Sequence, residues 1–225
     1  RAGRAGRIGP GVAYRAWDAA DAGRRPRFPV PEIAVADLAG FALELAVWGA
    51  TPEQIPLVEA PPAGAYAGAV ALLRELGAVD HRGRPTARGR DVAALPVHPR
   101  LATLVLAGID RGAGWTASVL AALLEERDVV RGRPEQRPAD LVPRVRAVAR
   151  DQDPHALDLD RGAVRTVRRR AEQLARRAGA SAGASAGAVQ ADLVGPLVAV
   201  AYPERIAQSS GRGYRLRGGG GGTLD

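Results

Sequence analysis

The sequence contains no cysteine, no methionine and no lysine, and aromatic residues make up only 4% of its 225 residues. Without cysteine the chain can form neither disulfides nor thiolate metal sites. Its three histidines, His81, His98 and His155, lie too far apart for the usual spacing of metal ligands. No apolar run approaches the roughly 20 residues of a membrane-spanning helix, and we find no signal peptide. We therefore expect a soluble, cytoplasmic protein without membrane contacts, and we expect a monomer.

Because lysine is absent, arginine supplies all 32 basic residues, which outnumber the 24 acidic residues and give a net charge of +8. An excess of positive charge favours a polyanionic partner, and nucleic acid is the usual one. A solvated basic surface without a partner is the alternative. The absence of methionine, together with a first residue inside a patterned motif, predicts that Arg1 is an interior residue of a longer chain.

The first seven residues, RAGRAGR, carry arginine at every third position with glycine in between. A guanidinium is always charged and can bind phosphate oxygens with two hydrogen bonds, while glycine lets the backbone approach a ligand closely. The turn GPG and a predicted strand over residues 12–17 follow at once, which favours a built anion site over a nonspecific Gly/Arg tail that binds RNA. The candidate site residues are Arg1, Gly3, Arg4, Gly6 and Arg7.

Apolar residues recur with helical period over residues 32–48 and 62–76, and Gly49 and Gly77 follow these two segments. The first stripe comprises Ala34, Leu38, Phe41, Ala42, Leu45 and Trp48. A short hairpin over residues 78–85 and a helix from Thr86 to about Leu95 come next. Two helices, a small hairpin and a third helix are the parts of a winged-helix unit.

The remainder of the chain is predicted to be a bundle of antiparallel helices. The predicted helices span residues 101–110, 116–127, 140–150, 161–178 and 189–201. Small residues over 179–187 predict a flexible loop, and a strand-like period returns at residues 214–217 before a run of glycines.

The helix RGAVRTVRRRAEQLARRAGA is the second candidate site. Its apolar stripe faces away from a row of arginines, which suits a surface that follows the phosphates of a single-stranded nucleic acid. A solvated basic face is the alternative interpretation. The candidate nucleic-acid residues are Arg165, Arg168, Arg169 and Arg176.

RAGRAGR followed by GPGVAYRAW resembles the end of the last conserved motif of the DEAH-box, superfamily-two ATP-dependent helicases. The segment LLRELGAVDHRGRPTARGRDVAALPVHPRLATLVL resembles the end of that family's winged helix and the start of its ratchet domain. PEIAVADLAGFALELAVWG, ALLEERD and LVAVAYPERIAQ resemble the bacterial HrpB-like branch in particular. The chain is therefore expected to be a C-terminal fragment of such a helicase.

This resemblance implies a mainly α fold with four parts. Residues 1–29 would be the end of the second RecA-like domain and a linker, with one β-strand remnant of that domain. Residues 30–96 would be the winged-helix domain, residues 97–203 the helical ratchet bundle, and residues 204–225 the start of an OB-like β domain.

The resemblance also implies roles for single residues. Arg4 and Arg7 match the arginine fingers that reach the γ-phosphate of ATP, and Arg1, Gly3 and Gly6 match positions that shape the motif. ATP and Mg²⁺ would be bound mainly by upstream domains, because this chain has neither a Gly-Lys-Ser/Thr phosphate loop nor an Asp-Glu-Ala-His segment.

The intact protein would use ATP to move along, and unwind, RNA or DNA, and the fragment alone would be inactive. The alternative is a non-catalytic winged-helix protein that binds nucleic acid or acts as a regulator. The reading frame upstream of Arg1 distinguishes the two, because only a helicase requires the phosphate loop there.

Overall fold

The computed structural model describes residues 4–24, 28–149, 157–180, 189–211 and 213–223, and it divides the chain into two units, Arg1–Ala36 and Asp37–Asp225. The prediction of a mainly α-helical fold is confirmed. The helices are α1 (Ala19–Arg24), α2 (Ala39–Trp48), α3 (Ala63–Glu75), α4 (Ala87–Ala93), α5 (Pro99–Asp110), α6 (Gly114–Glu125), α7 (Val142–Ala149), α8 (Arg161–Arg177) and α9 (Val194–Ala201). The strands β1 (Ala207–Ser209), β2 (Tyr214–Leu216) and β3 (Gly221–Gly222) pair antiparallel in that order, with Gln208 opposite Arg215 and Arg215 opposite Gly221.

The strand predicted over residues 12–17 is wrong, because these residues form no regular secondary structure. Val12 and Tyr14, the apolar positions of the alternation, are 74% and 93% exposed. A strand requires a neighbour that accepts its backbone hydrogen bonds. The described residues of the first unit, 4–24 and 28–36, supply no such neighbour.

The single helix predicted over residues 32–48 is also corrected. A short 3₁₀ helix covers Glu32–Ala34, and α2 begins only at Ala39. The carboxylate of Asp37 accepts a hydrogen bond from the backbone N–H of Ala39 at 2.8 Å. Such a bond from the backbone to a nearby aspartate competes with the backbone hydrogen bonds of a helix. Trp48 at the end of the predicted stripe is 73% exposed, so it does not belong to the core.

The second unit has α6 at its centre, packed against α5, α7, α8 and α9. Every residue of α6 from Gly114 to Leu123 is buried. At Gly108 on α5, a Cβ atom would lie 2.2 Å from the Cβ of Ala117 on α6, so the close approach of these two helices depends on glycine. Because α6 is buried on all sides over these residues, helix α8 packs directly onto the core.

Helices α2, α3 and α4 pack beside this bundle, and a hairpin precedes α4. Val79 and Pro85 form its antiparallel bridge, and the hydroxyl of Thr86 accepts from the backbone N–H of Gly89 at 2.9 Å to cap α4. A Cβ at Gly89 would lie 1.9 Å from the carbonyl oxygen of Ala78, so α4 rests on the hairpin backbone. None of the helices in the described part of the chain is both long and apolar enough to cross a membrane.

Candidate functional site

The arginine loop (residues 1–7) is described from Arg4 onward, and Arg1 and Gly3 lie outside the described residues. Arg4, Gly6 and Arg7 are exposed; Arg4 is 3₁₀-helical, Gly6 lies in a turn and Arg7 in a bend. Neither Arg4 nor Arg7 forms an ion pair or hydrogen bond with another residue among those the structure describes. Their guanidinium groups therefore remain available for an external anion.

The turn behind the arginine loop folds back onto it. A Cβ at Gly11 would lie 1.7 Å from the carbonyl oxygen of Ala5, so only glycine fits this contact. The GPG turn therefore fixes the backbone between Arg4 and Arg7 by steric contact, although the side chains themselves are solvated.

Helix α8, the second candidate site, begins with a strong cap. The carboxylate of Asp160 accepts hydrogen bonds from the backbone N–H groups of Gly162 at 2.8 Å and Ala163 at 3.1 Å. These bonds, from Ala163 and then Gly162, hold the pKa of Asp160 below its usual value, and the nearby charges of Arg131 and Arg127 act in the same direction. The N-terminal end of α8 therefore carries a capping carboxylate with Arg127 and Arg131 nearby.

The apolar side of α8 faces α6, with Val167, Ala171 and Leu174 fully buried. The opposite side is the α8 arginine face, which we define as Arg165, Arg169 and Arg176. All three are exposed and have no hydrogen-bonding or ionic partner in the described part of the chain. At 1.5 Å rise per residue, they are separated along the helix axis by about 6 Å and about 10 Å. This spacing forms a linear row of arginines, with Glu172 on the same face between Arg169 and Arg176.

Arg168, the fourth predicted residue, lies outside this row. Its side chain is half-buried and donates a hydrogen bond to the carbonyl oxygen of Val148 on α7. Each residue turns the helix by about 100°, so Arg168 points to the flank of α8 that packs on α7. The structure therefore brings three of the four predicted arginines together on the solvent face.

Arg170 occupies the opposite flank, a role that the sequence analysis did not assign. It donates two hydrogen bonds to the carboxylate of Glu125 on α6, at 2.7 and 3.1 Å, and one to the carbonyl oxygen of Pro96 at 2.7 Å. The hydrogen bond to Glu125, followed by the charges of Glu125 and Glu126, raises the pKa of Arg170. The only sequence signal is the run RRR itself, which leaves open which arginine pairs internally.

A polar groove runs between the end of α6 and this flank of α8, and we call it the α6–α8 groove. Its volume is about 470 Å³, within the range of ordinary ligand sites. It is lined by Glu125, Glu126, Thr166, Arg169, Arg170 and Gln173. Among the described residues, no group of three or more His, Asp or Glu side chains is placed to hold a metal ion. The groove therefore suits hydrogen bonding to a ligand.

Comparison with known proteins identifies relatives over the whole chain. No family model matches. The chain is 32% identical to the ATP-dependent RNA helicase HrpB of Escherichia coli over 228 residues, which covers 100% of this chain and 25% of HrpB. It is 35% identical to the ATP-dependent RNA helicase HrpA of the same organism over 146 residues, covering 62% of this chain and 11% of HrpA.

The solved structures agree with these relatives. A crystal structure of the E. coli DExH-box NTPase HrpB superposes with a TM-score of 0.68 at 30% identity, over 99% of this chain and 25% of that chain. A crystal structure of the E. coli DEAH/RHA helicase HrpB gives a TM-score of 0.71 at 31% identity, over 99% of this chain and 26% of that chain.

The chain is thus a homologue of the DEAH-box ATP-dependent RNA helicases. Within that class, the whole of this chain is similar to part of HrpB, which confirms the resemblance drawn from the sequence motifs. It spans about a quarter of the length of the HrpB proteins it matches.

Proposed function

We propose that the whole protein is an ATP-dependent RNA helicase, and that this chain contributes two parts of its machinery. The arginine loop would contact the γ-phosphate of ATP, and the α8 arginine face would contact the phosphates of single-stranded RNA. The observation that carries this proposal is the match of this whole chain to about a quarter of HrpB, which includes the motif RAGRAGR.

The proposed domain organisation follows the family pattern. Residues 1–29 complete a RecA-like domain, residues 30–96 form a winged helix, residues 97–203 form the ratchet bundle, and residues 204–225 begin an OB-like domain. The helices α2 and α3, the hairpin bridged at Val79 and α4 support the winged helix. The antiparallel order β1-β2-β3 supports the OB-like start.

The proposed chemistry of the arginine loop is electrostatic. Hydrolysis of ATP places negative charge on the transferred phosphoryl group, and a preplaced guanidinium stabilises that charge. Arg4 and Arg7 fit this contact because both are exposed and unpaired within the described residues. Arginine offers no oxygen to Mg²⁺, so the residues of this loop fit the phosphate and not the metal. Mg²⁺ would be held by groups elsewhere in the helicase, where it would neutralise charge on the phosphates.

The test uses the intact helicase, in which this chain is joined to its upstream half. Arg4→Ala or Arg7→Ala is expected to lower kcat for ATP hydrolysis by roughly 10³ or more, the effect typical of arginine fingers. ATP binding is expected to weaken less, because the charge on the phosphoryl group is largest in the transition state. Arg→Lys is expected not to restore full turnover, since an ammonium group lacks the planar fork.

Arg15→Ala is the matched control, because Arg15 is exposed on the same unit but outside the motif. Turnover in this variant is expected to stay near that of the parent enzyme. Near-normal turnover in both the Arg4→Ala and Arg7→Ala variants would remove the finger assignment.

A further inference from the structure

The α6–α8 groove differs in charge from the arginine face beside it. Its four charged side chains, two glutamates and two arginines, cancel each other. Arg170 is held against Glu125 by two hydrogen bonds and also bonded to Pro96, so one wall is fixed before any ligand arrives. A phosphate gains little from an electrically balanced groove, whereas a neutral hydrogen-bonding group can enter it.

The remaining polar groups of the groove match the edge of a nucleobase. Glu126 offers carboxylate acceptors, while Thr166 and Gln173 each offer both donors and acceptors. All three side chains are exposed, so they can reach a ligand. None of the six lining residues is aromatic, so a base here would be recognised through its edge and not by stacking.

Glu126 and Gln173 favour particular bases. A carboxylate accepts from the exocyclic amino group of cytosine, and a glutamine amide pairs with the amino group and ring nitrogen of adenine. Uracil carries a carbonyl oxygen where cytosine carries its amino group, and that oxygen would face the negative charge of Glu126. Arg169 lies on the groove rim and on the arginine face, so it links this groove to the phosphate row.

We propose that the α6–α8 groove is a base subsite that prefers amino-bearing bases, cytosine or adenine, over uracil. The proposal rests on the RNA-binding role proposed above for the α8 arginine face, since a strand bound along that face would place a base beside Arg169. Glu126 and Gln173 would supply the selectivity.

The test measures binding of the 225-residue chain to fluorescently labelled oligo(C) and oligo(U) of equal length, at neutral pH and low salt. Oligo(C) is expected to bind about 5-fold more tightly, which is the low end of what one good base contact discriminates. Glu126→Gln is expected to bring the ratio of the two affinities close to one, because an amide can donate to the uracil carbonyl as well as accept. Gln173→Ala is expected to lower the affinity for oligo(A) more than for oligo(U).

The matched control is Glu172→Gln, which makes the same change in charge on α8 outside the groove. It is expected to strengthen binding of both oligonucleotides equally and to leave their ratio unchanged. Thermal unfolding of each variant verifies that the fold is retained.

Each outcome separates the two proposals. Equal affinity of the parent chain for oligo(C) and oligo(U), or an unchanged ratio in Glu126→Gln, overturns the base subsite and leaves the arginine face intact. Failure to bind either oligonucleotide overturns the RNA-binding role of α8 and the subsite with it.

Discussion

Neutralising the α8 arginine face is expected to flatten the salt dependence of RNA binding. The variant replaces Arg165, Arg169 and Arg176 with glutamine, which has a helix propensity close to that of arginine. Because the three guanidinium groups have no partner among the described residues, the change is expected to cost little stability, within the ±0.5 kcal/mol or so typical of surface substitutions. Any loss of affinity then reports contacts with the ligand.

The size of the effect follows from counterion release. Each phosphate contact on a single strand contributes about 0.7 to the slope of log affinity against log salt concentration. If all three arginines contact phosphates, the triple variant flattens that slope by about two units. A fourfold rise in salt would then weaken the parent chain roughly 20-fold more than the variant.

The assay is fluorescence anisotropy with a labelled single-stranded RNA, repeated over a series of salt concentrations. The matched control replaces Arg74, Arg82 and Arg90 with glutamine, which lowers the net charge by the same amount on exposed positions of α3, the hairpin and α4. A slope change in the α8 variant no larger than that in the control would show a general charge effect. The α8 arginine face would then be a solvated surface.

Two further predictions concern stability. Arg144→Met removes two 3.0 Å hydrogen bonds to Asp128 and one each to the carbonyl oxygens of Pro138 and Asp140, at 2.7 and 2.8 Å. Urea unfolding at neutral pH is expected to show a loss of about 3 kcal/mol, the low end for a broken buried pair, because Asp128 remains a quarter exposed. The hydrogen bond from Arg144 holds the pKa of Asp128 below its usual value, so protonation of Asp128 removes the contribution of the pair to stability only below about pH 4. A variant that loses as much stability as the parent chain on acidification would contradict this assignment. Gly108→Ala is expected to lower the melting temperature, because the new Cβ would lie 2.2 Å from the Cβ of Ala117. Gly68→Ala on the exposed face of α3, where a Cβ meets no described atom, is expected to raise the free energy of unfolding by up to about 1 kcal/mol. A Gly108→Ala variant as stable as Gly68→Ala would refute the close helix contact.

Helix α8 could be predicted almost to the residue, and the reason is physical. Its hydrophobic period is strong, and Asp160 supplies a side-chain acceptor at the predicted start. The observed range Arg161–Arg177 differs from the predicted one by a single residue. Local sequence determines such a helix because the cap and the apolar stripe agree.

The segment before α2 shows where local patterns fail. The predicted apolar stripe places Ala34 and Leu38 in one helix. The carboxylate of Asp37 instead accepts a hydrogen bond from the backbone N–H of Ala39, and the helix begins there. Asp37 also lies 3.1 Å from the imidazole of His98, which precedes α5. A contact across 61 positions of sequence cannot be read from a periodic pattern, so the helix start depends on tertiary structure.

The same limit applies to the candidate nucleic-acid site. Period alone places Arg165, Arg169 and Arg176 on the face opposite Val167 and Leu174, and the structure agrees. The run of three arginines is harder to divide, because residues 168 and 170 point about 100° to either side of residue 169. Their roles depend on which helices pack at each flank.

Those flanks are set by contacts distant in sequence. Arg168 donates to the carbonyl oxygen of Val148, 20 residues away in sequence, and Arg170 donates to Glu125, 45 residues away. Because α7 and α6 occupy the two flanks, Arg169 remains the member of the run that is directed to solvent, and it is also the arginine that borders both the phosphate row and the α6–α8 groove. A bound strand would therefore place backbone and base on two sides of Arg169, which makes this residue the one whose substitution should affect both salt dependence and base preference.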